Sequence, residues 1–215
     1  LVILVPAIAN TFFARVISGA QQAAQAANYR LLLCDTQGRE EIEREFAELV
    51  YNHQADGVIQ LRAFDPFEAP FPNVELPPIV NACEVIQGGR HPTISLDNRA
   101  AAKAMTEHLI ELGHRRIGLI KGPKSSPLTR DRVAGYQDAL RQAGIDCDPA
   151  LICHGDFSLK AGDDGAAAML DLPERPTALF CENDEMAIGA LKRIKQQGLR
   201  VPEDISLVGF DDIPF

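Results

Sequence analysis

Residues 116–145, RIGLIKGPKSSPLTRDRVAGYQDALRQAGI, decide the fold. They open on Arg116–Ile120, a short run in which consecutive rather than alternate residues are apolar. That is the pattern of a parallel strand covered on both faces. A polar loop with Gly122 and Pro123 follows. Val133, Tyr136 and Leu140 then recur at helical spacing, and Gly144 closes the helix. Strand, loop and helix make one unit, and the unit repeats.

On the N-terminal side, Leu1–Val5, Arg30–Cys34, Gly57–Leu61, Pro78–Asn81 and Thr93–Leu96 read as further strands. On the C-terminal side, Leu151–His154, Thr177–Cys181 and Ile205–Phe210 do the same. Helical stripes lie between them. Phe13, Val16, Ile17, Ala20, Ala24 and Ala27 share one face, with Asn10 as a candidate N-cap. Ile42, Phe46, Leu49 and Val50 mark a second helix. Ala102, Met105 and Leu109 mark a third, ended by Gly113. Two more fit Lys160–Leu170 and Glu185–Gln197, the latter closed by Gly198. Repeated βα units predict an α/β fold of parallel sheet flanked by helices. Residues 62–77 break the rhythm as a loop, with prolines at 66, 70, 72 and 77. At 97–100 a strand passes straight into a long helix. We therefore expect two Rossmann-like lobes, residues 1–98 and 99–215. The opening LVILVP reads as a strand already under way, and the close ISLVGFDDIPF as a strand and its exit loop. Both ends read as cut, with the C-terminal part of the fold missing.

Composition narrows the function. The 215 residues carry 21 Lys+Arg against 30 Asp+Glu, a net charge of −9. Neutralising phosphates needs clustered Lys and Arg, so this piece does not read as a DNA-contacting surface. A chain of this length buries roughly 70% of its extended surface and needs neither disulfide nor metal to hold a core. Cysteines 34, 83, 147, 153 and 181 form no CxxC or CxxxC pair. They read as free thiols, mostly buried, in the reducing cytoplasm rather than as disulfides or metal ligands. No apolar run approaches the 18 residues of a membrane span.

In open parallel sheets, ligands bind beyond the carboxyl ends of the strands. Those exits carry Asn10, Asp35, Arg62, Asn81, Asp97–Asn98, Gly122–Pro123, Asp156, Glu182–Asn183–Asp184 and Asp211–Asp212. Two lobes with polar strand ends facing each other would make a cleft suited to a hydroxyl-rich solute such as a sugar or nucleoside. An Asp or Asn at a strand-to-helix junction is also an ordinary N-cap, and for any single one that plainer role weighs more. Asp184 is the clearest cap by this reading. Asp211–Asp212 differs, since no helix follows it. Phe12, Phe13 and Phe157 stand at loop or helix starts, where an aromatic can stack on a sugar or base; core packing serves Phe13 equally well. Arg132 is either solvated or a clamp on the ligand.

Catalytic patterns are thin. The histidines show no HxH or HExxH spacing, and there is no GxSxG elbow. GPKSSPLTR lacks both phosphate-loop patterns. Spacing favours a binding protein over an enzyme, without cofactor or metal.

The stretches ELGHRRIGLIKGP, RDRVAGYQDALRQAGI, RPTALFCENDEMAIGAL and QGLRVPEDISLVGFDDIPF, in this order and spacing, resemble the effector-binding region of the LacI/GalR repressors. LVILVPAIANTFFARVISGAQQAAQAANYRLLLCDT and QADGVIQL are similar to it too, so the resemblance covers nearly the whole chain and is weakest at 62–77. GDFSLKAG and GPKSSPLTRDR look most like the purine and cytidine repressors. The resemblance implies a type I periplasmic-binding-protein fold whose lobes close on a small-molecule effector. It implies that Arg132 clamps ligand hydroxyls opposite Asp211, that Asn183 is a polar contact, and that Phe157 stacks. Phe12 and Phe13 match the aromatic pair after the first strand, and Asp97 a cleft position at the lobe crossing. Ser126 and Leu128 stand where the purine repressor has other polar groups, which weighs against a purine base. The implied partners are a sugar or nucleoside effector, a second copy of the chain, and operator DNA through a helix-turn-helix head absent from these residues. Two rivals share the scaffold: a periplasmic sugar receptor of a transporter, and an enzyme acting on nucleosides or sugars.

Overall fold

A computed structural model describes residues 1–67 and 75–214. Pro70 and Pro72 of the expected loop lie outside these residues. The backbone divides into two compact units, one built on Leu1–Leu96 and the other on Asp97–Ile213. The lobe boundary read from sequence falls two residues later. Asp97 accepts the Ala100 amide at 2.9 Å as the N-cap of the helix that opens the second unit, so Asp97 and Asn98 go with that helix.

The first unit runs β1 (Val2–Val5), α1 (Thr11–Ala26), β2 (Leu32–Asp35), α2 (Glu40–Tyr51), β3 (Val58–Gln60), β4 (Ile79–Ala82) and β5 (Thr93–Ile94). Its strands are all parallel, in the order β2-β1-β3-β4-β5. The second runs α3 (Asn98–Glu111), β6 (Ile117–Lys121), α4 (Pro127–Gln142), a 3₁₀ turn (Pro149–Leu151), β7 (Ile152–His154), α5 (Leu159–Leu170), β8 (Ala178–Cys181), α6 (Asp184–Gln196) and β9 (Ser206–Val208). Its sheet is parallel in the order β7-β6-β8-β9. Every predicted strand and helix is present among the described residues, trimmed or displaced by a residue or two.

The continuous apolar runs are explained by burial on both faces. In β1, Val2 and Leu4 pack with Ala47 and Val50 of α2. Ile3 and Val5 face the other way, onto Phe13, Val16 and Ile17 of α1. In β6, Ile117 and Leu119 meet Tyr136 and Leu140 of α4 and Leu109 of α3. Ile120 meets Met169 of α5 and Met186 and Ala190 of α6. All four β1 residues are buried, so neither face shows the alternation of a half-solvated sheet.

Helix contacts in the second unit are tight enough to demand glycine. A Cβ on Gly189 would stand 1.9 Å from the Leu159 carbonyl oxygen, and one on Gly162 would stand 1.9 Å from that of Met186. The α5–α6 contact therefore brings backbone against backbone. His114 ties the same unit together at the amino ends of its strands, with ring nitrogens 2.8 Å from the Thr177 hydroxyl and 3.0 Å from that of Ser206.

One cap differs from expectation. Asn183, not Asp184, caps α6, its Oδ1 taking the Met186 amide at 2.9 Å. Asp184 is already helical, and its Oδ2 accepts the Ile213 amide at 2.9 Å instead. Asn10 caps α1 as the sequence predicts, accepting the Phe12 amide.

Candidate functional site

In the second sheet, chain order reverses between β6 and β8, so their carboxyl ends flank the crevice where such sheets bind ligands. β6 leads into Gly122 and β8 into Glu182. The Gly122 amide donates to Glu182 Oε2 at 2.9 Å, across the switch point. Glu182 is fully buried. Burial pushes its carboxyl up to about 7, against the opposing pull of the Gly122 amide, Arg132, the Thr129 hydroxyl and Lys121. A Cβ at Gly122 would lie 2.2 Å from the Phe157 ring and 2.6 Å from Thr129 Oγ1. The ring thus rests directly on the β6 exit, which only glycine permits.

Arg132 projects from α4 into the same region and is 5% exposed, which removes the solvated reading. Its Nε donates to Asn98 Oδ1 at 2.9 Å, and one terminal nitrogen donates to the Glu182 carbonyl. The other lies 3.7 Å from Asp211 Oδ1. The guanidinium carbon stacks 3.8 Å from the centre of the Phe210 ring. Asp211 is held up at about 7, chiefly by burial, with Asp184 and Glu185 pushing the same way and Arg132 opposing. Asp211 (φ +105°) and Asp212 (φ +54°) both occupy the left-handed half of backbone space. Two non-glycine residues in succession there store strain, of the sort that clusters at ligand sites.

Phe157 also has positive φ, +69°, at the exit of β7. Its carbonyl accepts from Asn183 Nδ2 at 2.9 Å, so Asn183 uses one end of its amide as helix cap and the other to hold the Phe157 loop.

The first unit places different groups at its strand ends. The Thr36 hydroxyl donates to Glu43 Oε1 at 3.2 Å, and Arg62 donates to the same oxygen at 3.1 Å and to the Gly38 carbonyl at 2.8 Å. Gln60, Asn81 and Thr93 form a neutral row across β3, β4 and β5. Phe12 and Phe13 meet edge to face at 5.3 Å at the start of α1. Phe13 also belongs to the core against β1.

Residues 1–214 match the family model described as periplasmic binding proteins and sugar binding domain of the LacI family. The chain belongs to that LacI-type family. It is 42% identical over 214 residues to the HTH-type transcriptional repressor CytR of Escherichia coli (strain K12), covering 99% of this chain and 63% of the repressor. It is 34% identical over 220 residues to the Ribose operon repressor of Haemophilus influenzae, covering 98% of this chain and 64% of the repressor. Among solved structures, the transcription regulator CcpA of Lactococcus lactis superposes with a TM-score of 0.89 at 26% identity, covering 99% of this chain and 78% of that one. The chain thus spans a little under two thirds of the length of these curated relatives, which are transcriptional repressors and not enzymes. Its fold is that of the type I periplasmic binding proteins.

In this LacI-family domain, Arg132 and Asp211 are close neighbours, and Phe157 and Asn183 are hydrogen-bonded. Glu182 links the two pairs. Ser126 is buried at the start of α4, and its side chain does not cap that helix. Asp97 is exposed and serves as a cap. Phe12 and Phe13 belong to the first unit. Sequence reasoning did not nominate Glu182, Asn98, Thr129 or Phe210. Glu182 and Asn98 had been noted as strand exits, but their partners come from other elements. No motif spacing could have shown that Arg132 lies on Phe210.

Proposed function

We propose that this chain is the effector-sensing part of a transcriptional repressor, binding a small sugar or nucleoside at the carboxyl ends of its strands. The observation that carries this reading is the buried Arg132–Asp211 pair at the strand exits. At 3.7 Å the pair is longer than a direct hydrogen bond, a spacing that a ligand hydroxyl could bridge. The Phe157 ring beside Gly122 offers a stacking face. Phe12, Phe13, Asp97, Ser126 and Asn183 complete the set of proposed contacts. Similarity to the Ribose operon repressor supports a pentose-bearing effector.

The control is allosteric. An effector that prefers one arrangement of the domain shifts its population by its differential affinity and no more. A homodimer would carry that shift to DNA-binding heads outside these residues, and such a regulator works in the cytoplasm. The acidic balance fits a sensing role, with operator contacts made elsewhere in the protein.

The test is calorimetry on the full-length protein with adenosine, cytidine, uridine and ribose. Arg132→Ala and Asp211→Ala should each abolish or severely weaken the binding that the wild type shows. Unchanged affinity in both variants would overturn the site.

A further inference from the structure

We propose that Glu182 is a positioning residue that sets Arg132 and the β6 exit loop for the effector. This rests on the effector-site reading above and goes beyond it by naming the group through which Arg132 is held.

Glu182 touches three pieces of the crevice at once. Its amide donates to the Ile120 carbonyl at 3.0 Å, which keeps β8 in step with β6. Its carboxyl receives the Gly122 amide at the head of the loop leading to α4. Its own carbonyl receives a terminal nitrogen of Arg132. The Thr129 hydroxyl lies against the same carboxyl, one turn before Arg132 on α4. Moving the carboxyl therefore moves the loop and the first turns of α4, and Arg132 with the helix that carries it.

Folding alone does not account for an acid here. A fully buried carboxyl is costly, and Glu182 Oε1 finds no hydrogen bond of ordinary geometry. A neutral amide side chain could still accept the Gly122 amide without the cost of a buried acid. The charged groups that face Glu182 are Arg132 from α4 and Lys121 from β6. Asp211, at the exit of β9, shares Arg132. One guanidinium thus serves two acids, both held up at about 7. The charge on Glu182 becomes a handle on Arg132.

Two measurements on the full-length protein test this. The first needs no ligand. The Arg132 Nε–H signal in ¹H–¹⁵N spectra, assigned by its loss in Arg132→Lys, is followed from about pH 5.5 to 8.5. Glu182→Gln should remove one step of its titration, and Asp211→Asn should leave that step in place. A profile unchanged by Glu182→Gln overturns the proposal. The second is a double-mutant cycle on binding of adenosine, cytidine and ribose. Glu182→Ala should weaken the best of these probes on the order of tenfold in wild type, and by much less in an Arg132→Lys background. Equal losses in both backgrounds would mean that Glu182 does not act through Arg132. Should Glu182→Ala fail to fold, Glu182→Gln carries the same cycle. Loss of the NMR step together with unaltered probe binding in Arg132→Ala would fault the effector site while supporting the hold of Glu182 on Arg132.

Discussion

In the first unit the strand-end arginine is Arg62, whose side chain is 28% exposed and paired at 3.1 Å with Glu43. In the second it is Arg132, whose side chain is 6% exposed and shared by an amide oxygen, a main-chain carbonyl, a carboxyl group and an aromatic ring. Both units build a parallel sheet that reverses order beside its first strand. Both bury an acid near the crevice, and burial raises Glu43 as it raises Glu182. The difference lies in where the arginine starts. Arg62 leaves a strand end and folds over the β2–α2 loop to reach the Gly38 carbonyl. Arg132 leaves the interior of a helix, pointing into the sheet end. Equal sheet topology therefore yields a loop clasp in one unit and a buried charge cluster in the other.

The comparison can be broken most forcefully at the core. Phe180 is wholly buried in β8 and packs with the α3–α4 side of the second sheet. Phe180→Ala should cost about 3–5 kcal/mol. Amide hydrogen exchange should show protection lost first in β6 and β8, with β1 and β3 less affected; equal loss in both sheets would mean that the units are not separately cooperative.

Next in size is pH. Asp211 keeps its proton in the folded state up to about pH 7, whereas an unfolded Asp releases it near 3.9. Between those values the folded state binds more protons than the unfolded one. Stability is therefore full at the acid end of the window and is lost as pH rises through it. Asp211→Asn should remove this slope, about 2.7 kcal/mol between pH 5 and 7 at most. Urea midpoints measured across that range check it, and an unaltered slope would mean that Asp211 is ionised throughout.

The smallest contrast concerns the caps. Asn10→Ala in the first unit removes a single cap bond and should cost about 1 kcal/mol. Asn183→Ala also removes the partner of the half-buried Phe157 carbonyl and should cost roughly 1 kcal/mol more. Thermal denaturation of the two variants, with equal shifts, would show that Asn183 acts only as a cap.

Much of the fold was legible because its signals are local. Apolar runs such as Ile117–Ile120 need only burial on both faces, and Gly113, Gly144 and Gly198 adopt the positive φ expected of residues that end helices. Asn10 was readable as a cap for the same reason. At Asn183 and Asp184 the sequence offers two adjacent capping residues, and only the phase of the helix decides which one caps. Arg132 and Asp211 entered the candidate set through family likeness, since nothing near either residue in the chain reveals the other.

The alternation of strand and helix, the parallel sheets and the family were thus determined by the sequence itself, because period, punctuation and motif order are properties of neighbouring residues. Tertiary structure decided the convergence of Arg132 with Asn98, 34 residues before it, and with the carbonyl of Glu182, 50 residues after it. It decided the seat of Phe157 on Gly122 and the shared hold of Glu182 and Asp211 on one guanidinium. These depend on strand order and on how deeply each helix beds into the sheet, which no local spacing encodes.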